Sequence, residues 1–524
     1  MSARLLTIEE LTVATPGRIE LDRFSLAVDA GETVVLLGEA GCGKEAVMRV
    51  LAGAPRSGET ISGTLQFGAA PPERAAKLVR PPLRVAYLSG AHAGSLSRHA
   101  SVSSQLVRVI ARKLGAARST ARAEFALALE RLDGAPPPSA FDRPAAKLSA
   151  RTLAWGLVAA AFAQAPELLL ADHALSGLAP MPARLLARAL LAEQKRQGFA
   201  ILYAAMNTDV AGWLGGRVLM MRHGKVVEEG PIARLAGAQA HTYTQTFFKA
   251  MVPAPLPPSA PRASARGQPV LQAYGVEFGR DGAKRPGDGL TFELRRGASL
   301  ALLGEDGSGR RALTRVLLGL DRPRAGRVVL DAVDVGILAE KMLLRLRRRV
   351  AMIAGTDDVL DPRMTLWDTV SEPLRAHLKL PRELVANYRD AALKRVGLAS
   401  LPGDCGVSDL SIFDKRRLQV ARAIVSAPLL AVIDEPLRGL DAFAQSVMRD
   451  LLRNFRAQEG PSFLVITSDF AVAQALSEEA MVLKDGRVIE RGTLADLARA
   501  PKEPQTRALV DASIGGLSLA PAQG

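Results

Sequence analysis

Residues 147–178, KLSARTLAWGLVAAAFAQAPELLLADHALSGL, return in outline at 409–440 as DLSIFDKRRLQVARAIVSAPLLAVIDEPLRGL. GRVLMMRHGKVVEEG at 216–230 likewise matches EAMVLKDGRVIERG at 479–492. Leu148 and Leu410, Asp172 and Asp434, and Gly230 and Gly492 are each 262 positions apart, and Gly38 and Gly304 are 266 apart. An offset of that size excludes a solenoid, whose repeats run to about 20–50 residues. It requires that one whole domain be written twice. The 524 residues allow both copies a full core. The first copy is expected over 1–250 and the second over 270–515, with a tail at 516–524. Between them MVPAPLPPSAPRASARGQP (251–269) is rich in Pro, Ala and Ser, which favours an extended, unpacked linker.

Each copy opens its chemistry in the same order: apolar strand, glycine loop, helix. In the first, ETVVLL precedes GEAGCGKE at Gly38, and AVMRVLAG follows with helical spacing. In the second the stretch is SLALLGEDGSGRRALTRVLLG. The pattern G-x-x-x-x-G-K-[ST] presents backbone N–H groups to phosphate, with the lysine on the outer phosphates and the hydroxyl on Mg²⁺. The first loop keeps Gly38, Gly41, Gly43 and Lys44, but Glu45 replaces the hydroxyl residue. The second keeps Gly304, Gly307 and Gly309, and ends in Arg310 and Arg311.

Composition removes several other classes. A hydrophobic content of 48% and a charged content of 23% are those of a folded soluble protein. Two cysteines, Cys42 and Cys405, exclude a disulfide framework and fit a reducing compartment; Cys42 reads as a small filler inside its loop. The N-terminal MSARLLTIEELTV lacks the basic-then-apolar pattern of a signal peptide. The longest apolar stretch, from Leu153, is broken by Gln164, Pro166 and Glu167, so a buried helix followed by a strand is expected rather than a membrane span. The net charge of +15 admits nucleic acid or an anionic membrane face. The basic clusters RLRRR (345–349) and KRR (415–417) are short and sit among apolar positions, which favours a solvated helix face or strand edge. Aromatics make up only 4%, so no base-stacking platform is suggested and no nucleic acid is expected. His92, His99 and His223 are scattered without metal-ligand spacing.

The ordered set of phosphate loop, later signature segment opening a helix, and apolar strand ending in Asp resembles the ATP-binding cassette ATPases over nearly the whole chain. A finer resemblance is to the ATP-binding subunits of oligopeptide, dipeptide and nickel importers. PIARLAGAQAHTYTQTFFKA and TLADLARAPKEPQTRALVDA look like that subfamily's C-terminal extension, and LDPRMTLWDTVSEPLRAH (360–377) like its region after the Q-loop. The resemblance implies an α/β fold: two tandem nucleotide-binding domains, each with a RecA-like core, a helical subdomain and a short extension. It implies ATP and Mg²⁺ as cofactors. Implied partners are two membrane permeases and a periplasmic solute-binding protein. The implied location is cytoplasmic, peripheral on the inner face of the plasma membrane. It also implies that the cassettes pair head to tail within the chain, each ATP lying between one loop and the other cassette's signature.

On that layout the first site joins loop one to the second signature. Asp172 stands at the Mg²⁺-side position, and His173 replaces the glutamate that polarises water. Gly90 aligns with the Q-loop glutamine, Met206 with the switch histidine, Ala179 with the D-loop aspartate and Thr15 with the adenine-stacking aromatic. His173 reads as a satisfied histidine more readily than as a replacement base. The partner signature is LSIFD, in which Ser411 is kept while Ile412 and Phe413 replace glycines that would let amides approach phosphate. Both bulky residues are expected to pack against the opposite domain or a permease. The second site joins loop two to the first signature. Asp434, the catalytic candidate Glu435, the D-loop Asp441 and Phe278 at the adenine position are present. Gly355 replaces the Q-loop glutamine, Ser468 the switch histidine, and the signature is LSART, with Ser149 kept. Glu435 is also a candidate salt-bridge partner for Arg310. Arg311 stands near the expected Mg²⁺ position, where it would exclude the metal or stand in for part of its charge.

Losing one transition-state stabiliser or general base costs roughly 10²–10⁴ in rate, so ordinary hydrolysis is not expected at the first site and is compromised at the second. Three functions follow: an importer ATP-binding subunit with at most slow turnover, a pseudo-ATPase serving as scaffold or regulator of a membrane complex, and a ribosome-associated tandem factor. The third fits least, because the linker is short and importer-like tails follow both copies.

Overall fold

The computed structural model describes residues 3–78, 81–90, 95–251, 268–278, 289–338, 342, 346–356, 359–378 and 380–514. Most of the expected linker (252–267), the tail, His92 and Arg345 lie outside the described residues. At its edges, Met251 closes the helix Thr242–Met251 and Pro269 opens the strand Pro269–Glu277. The chain forms two compact units, built mainly from its first and its second half.

In the first unit Thr33–Leu37 is buried at every position. Val35 and Leu37 face one apolar cluster, Val34 and Leu36 another. An unbroken apolar strand of this kind fits only a parallel sheet covered on both faces. The sheet has the order Lys225–Pro231, Arg217–Arg222, Thr33–Leu37, Ala200–Ala205, Leu168–Asp172, Val85–Ser89. All neighbours are parallel except the antiparallel edge strand Lys225–Pro231. An antiparallel sheet is built around Arg4–Thr15 and Arg18–Asp29. The helices Val102–Leu114, Arg118–Glu130 and Ala150–Phe162 pack together as a helical subdomain. The apolar stretch from Leu153 thus lies in a helix followed by the strand Leu168–Asp172. No helix among the described residues is long and apolar enough to cross a membrane.

The second unit repeats this plan. Its main sheet runs Val350–Ala354, Leu430–Asp434, Ser462–Thr467, Ser299–Leu303, Glu479–Lys484, Arg487–Thr493. Leu366–Pro373, Arg382–Arg395 and Ile412–Ser426 form its helical subdomain. The repetition extends to backbone strain. His173 and Glu435, 262 residues apart, both hold left-handed conformations, at φ 50° and 47°. For a residue with a Cβ that costs roughly 1–2 kcal/mol, so the turn after each strand is imposed by its surroundings.

The KRR cluster differs from its expected solvated face. Arg416 is only 2% exposed and donates to the carbonyls of Gly355 and Thr356. Arg417 lies over the Phe413 ring, 4.5 Å from its centroid. Loop carbonyls turned toward this helix need donors, and a guanidinium supplies five.

Candidate functional site

Both glycine loops join the end of a central parallel strand to a helix, Lys44–Leu51 in the first unit and Arg310–Leu317 in the second. Gly43 and Gly309 cap these helices at φ 108° and 99°, conformations open to glycine. Gly38, Gly41, Gly304 and Gly307 complete the two loops, and Gly41, Gly304 and Gly307 also hold positive φ.

In the first unit Lys44 is fully buried. Its Nζ donates to Glu39 O at 2.7 Å and lies 3.1 Å from Glu45 Oε1. That oxygen is also 3.2 Å from His173 Nε2, which stands 3.7 Å from Asp172 Oδ1. The Tyr87 hydroxyl donates to Asp172 Oδ2 at 2.8 Å. Lys44, Glu45 and His173 therefore form one linked group and Asp172 and Tyr87 another; His173 Nε2 and Asp172 Oδ1 are not hydrogen-bonded, and that oxygen is buried without a hydrogen-bond partner. Burial acts to raise the Glu45 pKa, but the His173 hydrogen bond and Lys44 outweigh it and hold the carboxyl at about 2. Burial and the Asp172 charge push the Tyr87 phenol up, so it remains a donor. His173 Nδ1 is buried with no partner, so only one edge of this ring is satisfied. Cys42 is buried in the loop, and burial raises its thiol, as expected of a filler.

In the second unit Arg310 is 6% exposed, and its Nη1 donates to Glu435 Oε1 at 3.1 Å. Nη2 lies 3.6 Å from Asp306 Oδ1. Glu435 Oε1 also accepts from the Ser468 amide and hydroxyl, both at 2.8 Å, and Oε2 accepts from Thr467 Oγ1 at 2.9 Å. Burial would raise the Glu435 pKa, but Arg310, Arg438 and the Ser468 hydrogen bond bring it below the ordinary carboxylate value. Arg311 reaches Asp434, with Nε 4.0 Å from Oδ2. The Asp434 carboxyl nonetheless stays above its ordinary value because burial dominates.

The remaining candidates are placed as follows. Gly90 N donates to Asp172 O at 3.0 Å, and Gly355 N to Asp434 O at 2.6 Å. A Cβ on Gly90 would lie 2.5 Å from His173 O, and one on Gly355 2.1 Å from Glu435 O. The missing Q-loop glutamines are thus positions where only glycine fits this backbone. Ser149 caps the helix Ala150–Phe162, accepting from Thr152 N. Ser411 caps Ile412–Ser426; its hydroxyl accepts from Asp414 N at 3.1 Å and donates to Asp414 Oδ2 at 2.7 Å. Phe413, expected to face another domain, packs against its own unit's core under Arg417, while Ile412 is 49% exposed. Phe278 is 6% exposed and packs in the core, its ring 3.0 Å from where a Gly309 Cβ would stand. Asp441 directly precedes the helix Ala442–Glu459.

These donor sets fit phosphate better than metal. The loop backbones and Lys44, Arg310 and Arg311 suit a polyphosphate. A divalent cation needs several free oxygens, yet Glu45 is engaged by Lys44 and His173 and Glu435 by Arg310, which leaves Asp172 Oδ1 as a buried oxygen without a hydrogen-bond partner beside the first loop. Arg311 sets a cation beside Asp434, where Mg²⁺ would have to sit. Among the described residues no group of three or more His, Cys, Asp or Glu could hold a metal ion. Sequence reasoning named the Arg310–Glu435 pair but missed the Glu45–His173 contact. Its one signal was that both departures from the family pattern fall in the same copy.

The model of the ABC transporter family matches residues 21–176 and 288–438. The uncharacterized ABC transporter ATP-binding protein YejF of Escherichia coli K12 is 28% identical, covering 97% of this chain and 99% of its own. The peptidoglycan transport ATP-binding protein YejF of Agrobacterium fabrum is 27% identical over 97% and 96%. The glutathione import ATP-binding protein GsiA of E. coli K12 is 25% identical over 98% and 90%. Among solved structures, cbiO1 of Clostridium perfringens is 25% identical, covers 44% of this chain and 91% of its own, and has a TM-score of 0.41. With one matched segment in each half, around one glycine loop apiece, the chain belongs to the ABC transporter family and carries two of its nucleotide-binding domains in tandem.

Proposed function

We propose that this chain is the ATP-binding subunit of an importer for a peptide or similar small solute, and that its loops bind nucleotide with little or no hydrolysis. On this reading it sits on the cytoplasmic face of the plasma membrane. There it docks on two separate permease chains served by a periplasmic solute-binding protein. The importer part is supported by similarity, over nearly the full length of both chains, to proteins named for peptidoglycan transport and glutathione import. The low-turnover part is carried by one observation: the buried ion pair with Arg310 ties up Glu435, the acidic residue at the family's water-polarising position.

The roles follow from the residues. Loop amides behind Gly43 and Gly309, with Lys44, Arg310 and Arg311, receive phosphates; Arg binds them by its planar fork, Lys as a point charge. Bound Mg²⁺ would supply charge neutralisation of the phosphates, which the second loop's arginines provide in its place. Ser149 and Ser411 are the signature positions, and Asp441 the D-loop position, of cassettes that pair within the chain. For Phe278 to meet adenine it must leave the core. Domains of 1–250 and 270–515 are the proposed units of this pairing.

The test is titration of the full chain with a fluorescent ATP analogue, with and without Mg²⁺, and phosphate release from the same samples. Micromolar binding that does not need Mg²⁺, with negligible release, is expected. The Arg310→Lys, Arg311→Ser double variant should gain Mg²⁺ dependence. Ordinary Mg²⁺-dependent release by the unaltered chain would overturn the low-turnover reading. No binding by a folded chain would leave the second reading, a pseudo-ATPase scaffold, which the closed Ser411–Asp414 and Glu435–Ser468 contacts favour.

A further inference from the structure

One contact to the loops recurs in both units and involves neither the ion pairs nor the signature. In the first unit the extension helix Thr242–Met251 brings the Tyr243 hydroxyl 3.0 Å from Glu39 Oε1, and 3.4 Å from Met221 O. In the second, the helix Pro504–Ile514 brings Gln505 Nε2 to Glu305 Oε1. Tyr243 and Gln505 are 262 residues apart, and Glu39 and Glu305 are 266 apart, the two offsets of the repeat. A phenol and a carboxamide differ in shape, and facing a carboxylate, which only accepts, what they share is a hydrogen-bond donor. Packing alone would keep shape; what the two copies have in common is the donor.

The glutamate that each donor holds is the second residue of its loop, and its backbone organises the rest. Glu39 O accepts from Lys44 Nζ at 2.7 Å and from Cys42 N at 3.3 Å; Glu305 O accepts from Ser308 N at 3.1 Å. The preceding Gly38 is pressed against Met221 O, where a Cβ would stand 2.4 Å away, and Tyr243 reaches that same carbonyl. Gly304 stands against Leu483 O in the same way, at 2.5 Å. Burial and the Glu39 charge push the Tyr243 phenol up, so its proton stays in place for donation.

We infer that Tyr243 and Gln505 are positioning residues, through which each C-terminal extension holds its own unit's phosphate loop in the anion-accepting shape. Only the nucleotide-affinity consequence rests on the proposed function; the mechanical link does not.

The experiment compares full-length Tyr243→Phe and Gln505→Leu by hydrogen exchange over 38–44 and 304–310, alongside ATP titration. Tyr243→Phe should speed exchange in 38–44 by about tenfold, the equivalent of one charge-assisted hydrogen bond, and leave 304–310 unchanged. Gln505→Leu should do the reverse. Adding Glu39→Ala to Tyr243→Phe should add nothing, whereas Glu39→Gln alone, which keeps an acceptor oxygen, should restore much of the protection lost in Glu39→Ala. ATP affinity should fall by a similar factor. Unchanged exchange in both loops, or equal rises in both loops from either variant, would overturn the inference. Loop-selective exchange in a chain that never binds ATP would uphold the inference and reject the nucleotide reading.

Discussion

In the first unit a single buried lysine faces the carboxylates of Glu45 and, through His173, Asp172. In the second, Arg310, Arg311 and Arg438 face Asp306, Asp434 and Glu435. The loop backbones around them are alike, so the contrast is one of charge. The first site carries an excess of acid, with Glu45 held by Lys44 and His173 and Asp172 by the Tyr87 hydroxyl. The second matches acid with base and closes the pair with Thr467 and Ser468. Buried charge left unmatched is costly. The departures from the family pattern are therefore compensated locally: Glu45 meets His173, itself a substitution, and Arg310 meets the retained Glu435. The lesson is that the substitutions are not independent losses; each makes sense only beside its partner 125 or 128 residues away.

The largest effect that sharpens this contrast is expected from Glu435→Ala. It strands Arg310 in the interior and should cost about 3–5 kcal/mol in the second unit's unfolding free energy, read by denaturant titration. His173→Ala removes a partly exposed ring from the first site and should cost about 1 kcal/mol. Equal losses would break the comparison.

Acid comes next. Glu45 is held at about 2 when folded, against about 4.3 unfolded. A lowered folded pKa gives stability that is complete above the unfolded pKa and lost as pH falls through the folded one. Glu45→Gln should therefore be less stable than the unaltered chain by about 3 kcal/mol near pH 6, and the gap should close between pH 4.5 and 2. In the second unit Asp434, raised by burial, works in the opposite sense to Glu435, its stability contribution growing as pH falls. Equal stability of the Glu45→Gln variant and the unaltered chain near pH 6 would show that Lys44 and His173 do not hold this carboxylate.

Much of the architecture was legible because strands and helices leave periodic marks. The buried, largely apolar TVVLL and SLALL, the glycine loops after them and the near-constant offset placed both cores and both loops. The site was legible only by position. Gly90 and Gly355 read as lost glutamines, but the constraint is steric and involves carbonyls of His173 and Glu435 far away in sequence. The KRR run looked solvated because nothing local announces the Gly355 and Thr356 carbonyls that Arg416 satisfies. Phe413 was expected to face a partner, yet Arg417 on the next turn of its own helix covers it. Contacts between distant positions carry no periodicity, and one sequence cannot display them.

Restoring the glutamine tests that steric claim. Gly355→Gln places a Cβ 2.1 Å from Glu435 O and should cost about 1–3 kcal/mol or more. Gly90→Gln, with 2.5 Å to His173 O, should cost somewhat less. Thermal unfolding of the two variants ranks them. A stabilised Gly355→Gln chain would mean that the turn at Glu435 relaxes, and that the pairing with Arg310 is looser than its burial implies.

The smallest effect separates the two signatures. Ser149 and Ser411 both cap helices, so either alanine variant should cost about 1 kcal/mol. They differ in what the hydroxyl donates to. Ser411 Oγ gives its proton to the Asp414 carboxylate, whereas Ser149 Oγ meets the neutral Thr152 hydroxyl at 2.9 Å. A hydrogen bond to a charged group is stronger than one between neutral groups, so Ser411→Ala should be the more costly of the pair, measured by denaturant unfolding at neutral pH. If the two values coincide at pH 7, the Ser411 hydroxyl is not committed to Asp414, and the second signature is as free as the first to turn toward a phosphate.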